Sequence, residues 1–526
     1  MPKVLIADVL SPAALSIFRE RGIEADARTG LGKEELLRSV ADYDGIAVRS
    51  ATKISADVIR AAKQLKVVGR AGIGVDNIDV AAATAAGVIV MNTPHGNSIT
   101  TAEHAIALMM ALARELAAAN ASTHAGKWEK NRFVGSELYS KTLGLIGAGN
   151  IGSIVADRAR GLKMKVIAYD PYLAPQRAAD LGIEKVELND LLARADFVSL
   201  HTPLTGETRN ILSAEAIGHM KRGARLINCA RGGLVDEQAV RAALDSGKLS
   251  GAALDVFAEE PARSHILFGH EKVIATPHLG ASTVEAQENV AIQIAEQISD
   301  YLLTGAITNA LNMPSIGAEE AQRVRPWIAL AEKLGLFIGQ LTETSLQSVE
   351  IIYEGSTGEL NTRALTQAAL SGLLKPILSE VNMVNAPVIA RERGIVVSET
   401  RRDRQGIYEG YIKVSAVLAD GSTRRAAGTV FSDGRPRLIQ ARDVNLDAEF
   451  APYMLYVINE DRPGFIGRLG TLLGDANINI GSFALGRSMP GGEAIALVEI
   501  DGPVPDSVME ELRGLPLVRL AKALGF

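Results

Sequence analysis

Three residues, each directly behind a short apolar run, carry side chains able to move a proton and hold an anion. Arg231 follows RLINCA, Glu260 follows GAALDVFAE, and His278 follows KVIATP. A planar guanidinium matches the fork of a carboxylate, each charge-assisted bond contributing about 1.5–3 kcal/mol. An imidazole accepts and returns a proton near neutral pH, and a carboxylate beside it orients the ring and stabilises its protonated form. Singly, each has a plainer reading: a salt-bridging arginine, a solvated turn acid equally open to Glu259, and a turn histidine bonded to backbone. The chain holds only eight histidines in 526 residues, so His278 alone carries little. Three such groups behind successive strand-like runs carry more, because open α/β sheets bind ligands at the carboxyl ends of their strands.

Upstream, TLGLIGAGNIGSIVADRARGLKMKVIAYD places Gly147, Gly149 and Gly152 in GxGxxG spacing between an apolar strand and a helix. The first glycine permits the tight turn, the second lets backbone approach a pyrophosphate, and the third allows close helix packing while the helix N-terminus faces the anion. Asn150 and Ile151 fall where backbone amides meet phosphate. Asp170 ends the next strand, where a carboxylate accepts the ribose diol and repels a 2′-phosphate, so NAD is expected rather than NADP. Hydride transfer from an alcohol carbon to nicotinamide needs a base for the hydroxyl proton and a cation for the substrate. His278, with a carboxylate beside it, and Arg231 supply both.

The elements that must position these groups follow from periodicity. KVLIADVL, DGIAVRS, KVVGRAG and GVIVMN alternate with helix-like stretches, the signature of a parallel sheet. NSITTAEHAIALMMALARELAAANAS reads as one long helix. A second α/β alternation runs from TLGLIGAG to KVIATPHLG. Because the glycine motif lies well inside the chain with an α/β unit in front, the nucleotide unit is expected to be inserted into the first. The expected fold class is α/β: two Rossmann-like doubly wound parallel-sheet units, at 1–97 with 290–315 and at 98–289. An α+β unit follows at 316–450, with two helices and then hairpins turning at Asp420 and Asp433. Residues 451–526 read β, α, β, β, α, β, the ferredoxin-like order.

Composition sets bounds. The chain is 47% hydrophobic and 22% charged with net charge −6, which argues against a broad nucleic-acid surface. An anionic ligand must meet a local cationic cluster. The single Cys229 excludes intrachain disulfides and an all-cysteine metal site; no metal is expected, and cytoplasm is the natural compartment. No leader-like start and no run of about 18 uncharged apolar residues is present, so no membrane partner is expected.

GLIGAGNIG, CARGGLVDE, LDVFAEEP and TPHLGAST together resemble the NAD-dependent D-2-hydroxyacid dehydrogenase family, over Met1 to about Met313. The resemblance implies that Arg231 binds the substrate carboxylate and carbonyl, that Glu260 and not Glu259 assists the histidine, and that His278 is the acid/base. It further implies cofactor contacts by Ile73, Asn150, Ile151, Asp170, Thr202, Cys229, Ala230, Arg231, Asp255, His278, Leu279, Gly280 and Ala281. The whole chain is similar to the long members of that family, which implies D-3-phosphoglycerate as substrate, 2-oxoglutarate reduction as a side activity, and a homotetramer. Arg49 and Arg70 would then meet the phosphate, with Lys130 and Arg132 as further cations. Some shorter members carry a second arginine where this chain has Ala51, so phosphate contacts must be shared differently. VINEDRPGFIGRLGTLLGDANINI resembles the ACT regulatory module, which implies L-serine as effector with Asn459, Asp461 and Asn479 as its contacts; the alternative is a dimerisation unit without ligand. Two rival functions stand: a glycerate- or lactate-type enzyme, whose relatives stop near Met313, and a non-catalytic NAD-sensing scaffold.

Overall fold

The computed structural model describes residues 1–378, 380–403 and 407–526. Strands β1 (Lys3–Ile6), β2 (Glu24–Ala27), β3 (Gly45–Val48), β4 (Val67–Arg70) and β5 (Ile89–Asn92) form a parallel sheet in the order β2-β1-β3-β4-β5. Its central strands are apolar except for Lys3 at the start of β1 and Arg70 at the end of β4, because helices cover both faces. Seven further strands, β6 (Thr142–Ile146), β7 (Lys165–Tyr169), β8 (Glu184–Lys185), β9 (Phe197–Leu200), β10 (Ala224–Asn228), β11 (Leu249–Leu254) and β12 (Val273–Ala275), form a second parallel sheet in the order β12-β11-β10-β9-β6-β7-β8. The order reverses between β6 and β9, and a crevice opens there at the carboxyl ends.

Two helices carry the chain between the sheets. Ser98–Ala113 buries Ala102, Ala105, Leu108, Met109 and Leu112 against the second sheet. Val284–Thr304 returns and buries Val290, Ala291, Ile294, Ala295 and Ile298 against the first. The single long helix expected after Asn97 is broken: Glu115 takes a left-handed φ of 54°, and a second helix, Leu116–His124, leaves at 64°. Ala113 O accepts the N–H of Ser136, a strand-like crossing that ends the first helix, and the second helix has no buried residue to keep it in line. Among the described residues no single helix is long and apolar enough to cross a membrane.

Strands β13 (Leu346–Gly355), β14 (Val396–Arg402), β15 (Gly410–Leu418), β16 (Thr423–Val430), β17 (Pro436–Ala441) and β18 (Val444–Glu449) make a mixed sheet in the order β14-β13-β15-β16-β17-β18. Asp420 and Asp433 lie in its hairpin turns, each accepting the backbone N–H two residues on. The two helices expected ahead of the hairpins are an undercount, and the expectation omits β13 and β14. Among the described residues three α-helices are present, Ala318–Gln340, Thr362–Leu374 and Ala386–Glu392, and β13 runs between the first two. The last sheet, β19 (Met454–Glu460), β20 (Ile480–Arg487), β21 (Glu493–Ile500) and β22 (Val518–Leu524), is antiparallel in the order β20-β21-β19-β22, with two helices on one face.

These last two sheets share one core. Met454, Tyr456, Ile458, Ile495, Leu497 and Leu524 line the sheet face away from its own helices and join Leu334, Phe337 and Ile338 of the 318–340 helix in one apolar cluster. Leu497→Ala should therefore cost about 2–5 kcal/mol and destabilise residues 318–526 as one unit. Calorimetry of the full chain checks this: separate transitions for the two sheets, with only one shifted by the substitution, would refute a shared core.

Candidate active site

A cleft of about 660 Å³ lies between the carboxyl ends of the two parallel sheets. One wall carries Arg49, Arg70 and the loop Gly72–Asp76; the other carries Asn150, Ile151, Thr202, Cys229, Ala230, Arg231, Glu260, His278, Gly280 and Ala281. Ile73 reaches the cleft on the first wall, its carbonyl held by Asn92 Nδ2 at 2.6 Å.

His278 follows β12 in a left-handed conformation, φ 56°, with its N–H bonded to Asp255 O at 2.9 Å. Its Nδ1 lies 2.6 Å from Glu260 Oε2, and Nε2 has no partner among the described residues. That arrangement leaves Nε2 as the atom available to a substrate hydroxyl. Glu260 is placed by its other oxygen, which accepts Phe257 N–H at 3.0 Å. Desolvation pushes its carboxyl up, but the bonds from His278 and Phe257 outweigh this and hold it below the usual range, so it is an anion beside the imidazole.

Arg231 follows β10. Its Nε donates to Asp76 Oδ2 at 3.0 Å and Nη1 to Ala230 O at 2.6 Å, so the guanidinium is aimed from both sides. The turn is shaped by buried Asn228, whose amide accepts Ala230 N–H and donates to Arg231 O. A glycine at position 232 serves backbone contact: a Cβ there would lie 1.9 Å from Phe257 O, so the Arg231 and Glu260 loops touch directly.

The side chain of Asp255, expected as a cofactor contact, is fully buried behind the cleft wall. Oδ1 accepts Thr276 Oγ1 at 2.5 Å and Leu279 N–H at 2.7 Å, Oδ2 accepts Gly280 N–H at 2.8 Å, and His104 Nε2 lies 3.2 Å away. Thr101 on the same helix as His104 holds Gly280 O at 2.9 Å. Asp255 thus ties down the His278 loop. The side chain of Leu279 also lies off the cleft.

The glycine loop fits a dinucleotide. A Cβ at Gly147 would lie 2.5 Å from His201 O and one at Gly152 2.2 Å from Gly147 O, whereas Gly149 faces open space in front of the Asn150–Gly161 helix. Asp170 accepts Ala148 N–H at 2.9 Å and Tyr172 N–H at 2.9 Å, which fixes its carboxylate at the loop with lone pairs left for a ribose diol. Burial pushes the Cys229 thiol up, so it is an uncharged wall and not a nucleophile.

Arg70 is half-buried, its Nε enclosed without a partner, and has no ion pair among the described residues; desolvation, with Arg231 nearby, pushes it down to about 10. Arg49 lines the same wall. Lys130 and Arg132 do not reach the cleft within this chain: Arg132 is paired with Glu129 and Glu271, each at 3.2 Å. The three effector candidates are not brought together either. β19 and β20 flank β21 and run the same way, so Asn459 and Asp461 lie at one end of the sheet and Asn479 at the other, about 20 Å along the strands. Asn459 is buried with Nδ2 on Glu460 O, Asp461 accepts Arg487 and Gly491 N–H, and Asn479 donates to Asp501.

Sequence reasoning misses Asp76, His104, Thr276 and Glu237. Glu237 accepts Ala258 N–H at 3.2 Å and lies 2.8 Å from His265 Nε2, bracing the loop that presents Glu260. Asp76 in GIGVDN and Glu237 in GGLVDE stand inside recognisable motifs; nothing local marks His104.

Residues 106–280 match the model of the D-isomer specific 2-hydroxyacid dehydrogenase NAD binding domain, 323–442 that of the D-3-phosphoglycerate dehydrogenase intervening domain, and 453–517 that of the ACT domain. The chain is 43% identical over 521 residues to D-3-phosphoglycerate dehydrogenase of Synechocystis sp., covering 99% of this chain and 94% of that one. It is 44% identical over 523 residues to the Methanocaldococcus jannaschii protein of the same name, covering 99% of both. Among solved structures, a Thermus thermophilus protein superposes with a TM-score of 0.55 at 37% identity, over 59% of this chain and 99% of that one.

The structure makes Asp255 the anchor of the His278 loop, and its charge is testable by pH. Desolvation pushes its carboxyl up, but the bonds from His104, Thr276 and Leu279 N–H hold it below the ordinary value. A carboxyl lowered in the folded state stabilises fully above its unfolded pKa of about 3.9 and loses that contribution as pH falls through the folded value. Asp255→Asn should cost about 3 kcal/mol at pH 7. The gap in denaturation midpoints should narrow progressively below about pH 4; a gap independent of pH would show that the charge does not hold the loop.

Proposed function

Because the chain belongs to the D-3-phosphoglycerate dehydrogenases of the NAD-dependent D-isomer specific 2-hydroxyacid dehydrogenase family, we propose that its cleft oxidises D-3-phosphoglycerate to 3-phosphooxypyruvate with His278, Glu260 and Arg231 as the reacting set. The observation that carries this is the convergence on one cleft of the His278–Glu260 pair with three arginines, two of which, Arg49 and Arg70, have no ion-pair partner among the described residues.

In this reading Arg231 holds the substrate carboxylate, with Asp76 fixing the guanidinium edge on. Arg49 and Arg70 receive the phosphate, whose charge relieves the mutual repulsion of the guanidinium groups. His278 Nε2 accepts the C2 hydroxyl proton while Glu260 stabilises the imidazolium that forms, and in the reverse direction the same atom returns it. Bound NAD supplies the acceptor for the C2 hydride. The distal carboxylate of 2-oxoglutarate carries charge to the same arginines, which supports its reduction as a side activity.

Replacing His278 by alanine should lower kcat by about 10²–10⁴ while NADH titration still saturates. Arg70→Gln should raise KM for 3-phosphoglycerate by roughly tenfold or more and leave unphosphorylated D-glycerate little changed. Equal effects on both substrates would remove the phosphate assignment, and near-normal turnover without His278 would send the proton elsewhere.

We also propose that the C-terminal ACT unit binds L-serine as a feedback inhibitor through Asp461, which faces solvent at the turn before the 465–475 helix. Equilibrium binding of labelled L-serine should be saturable and lost in Asp461→Ala. Absence of saturable binding by the native chain defeats it.

A further inference from the structure

A second cavity, of about 140 Å³, lies far from the cleft, where the 318–340 helix, the β15–β16 hairpin and the last sheet meet. Phe337, Ile338 and Leu341 of the helix, with Ile458 and Leu520 of the sheet, form its apolar wall. Tyr456 of β19 lines it as well. This side chain is 2% exposed, its ring packs edge-on against Phe337 at 5.5 Å, and its hydroxyl has no hydrogen-bond partner among the described residues. Burial raises the phenol to about 12, so it is a protonated donor at neutral pH. The hydroxyl is accessible from the cavity that Tyr456 lines.

The rim is cationic, and its charges are not equivalent. Arg425 pairs with Asp443, Arg442 with Glu493 at 2.9 Å, and Lys522 with Glu343 at 2.6 Å. Arg424 has no carboxylate partner among the described residues. Its Nε caps the end of the 318–340 helix through Leu341 O at 3.3 Å, and Nη1 makes only a 3.5 Å contact with Thr423 O. Helix capping accounts for one N–H and leaves most of the guanidinium fork unspent.

We propose that this cavity is a binding site for a small organic carboxylate, its oxygens taken by Arg424 and the Tyr456 hydroxyl and its short aliphatic part by the Phe337–Leu341–Leu520 wall. Glu343 also lines the cavity, where Lys522 neutralises its charge, and the unspent donors of Arg424 and Tyr456 select an acceptor-only anion. The apolar wall selects against inorganic anions. The volume is close to that of a cavity that holds benzene, which limits the ligand to about six non-hydrogen atoms. Because the wall is built by both the mixed sheet's helix and the last sheet, bound ligand would bridge the two.

The probe is sodium isobutyrate, titrated calorimetrically into the full chain, with inorganic phosphate as the comparison anion. Saturable binding is expected in the native chain, weakened roughly tenfold or more in Arg424→Gln and severalfold in Tyr456→Phe. Thermal midpoints of both variants close to the native one exclude misfolding as the cause, and Tyr456→Phe keeps the packing while removing only the hydroxyl. Binding in the active cleft would survive both substitutions. The proposal is overturned by no saturable isobutyrate binding at tens of millimolar, by binding that Arg424→Gln leaves unchanged, or by phosphate binding as tightly as isobutyrate.

Discussion

The buried carboxylate of Asp255 is the interaction on which the cleft depends. It closes β11, and from there it reaches a threonine hydroxyl and two consecutive backbone N–H groups beyond the end of β12, and His104 on the Ser98–Ala113 helix. A left-handed backbone at His278 is unfavourable for a residue with a Cβ, so the loop keeps that shape only because fixed partners over-determine it. The shape in turn presents Nδ1 to Glu260 and Nε2 to the cleft. Asp255 therefore acts on the proton carrier without touching the space where a substrate would lie.

The same economy governs charge. The chain is acidic overall, net −6, yet Arg49, Arg70 and Arg231 converge on one cleft from two different sheets. Holding Arg70 partly out of water with no ion pair among the described residues is costly, and the downward push on its pKa expresses that cost. An anion entering the cleft gains what the apo arrangement lacks. Only one of the three, Arg231, has an acid, and Asp76 approaches its Nε edge from the opposite sheet, so the ion pair spans the cleft. Closure of the two sheets and correct aim of the substrate-binding guanidinium are then one event.

How much of this the sequence disclosed follows the range of the forces involved. Strand alternation, the glycine loop and residues at strand ends depend on neighbours a few positions apart, so Gly147 to Gly152 and the set Arg231, Glu260 and His278 are readable, as is the order of the last six elements. What is not readable depends on contacts distant in sequence. Glu115 breaks a helix because residues near 135 cross its end; β13 and β14 exist because strands fifty residues apart pair. The motif position of Asp255 points toward the cofactor and says nothing of burial. His104 lies 151 positions before Asp255 and meets it only through the packing of its helix on the second sheet. Asp461 and Asn479 are close in the sequence but lie at opposite ends of parallel-running strands, which turn chain proximity into distance.

The C-terminal half is not mechanically separate from the cleft. Its last sheet shares a core with the 318–340 helix, and Asn385, in the same unit, donates to Ala85 O beside the first sheet at 2.8 Å, with Val384 and Ala364 buried in that sheet's own core. The contacts are therefore continuous from Tyr456 to the sheet that carries Arg49 and Arg70. Continuity alone transmits nothing; a two-state element must be biased from both ends. The candidate element is the approach of the first sheet to the second, because Asp76 and Arg231 report it at the cleft and the 318–526 unit bears on the first sheet's far side. Anything that repacks the shared core then changes the cost of that approach, and by linkage a substrate that favours it must change the affinity of the remote site by the same factor.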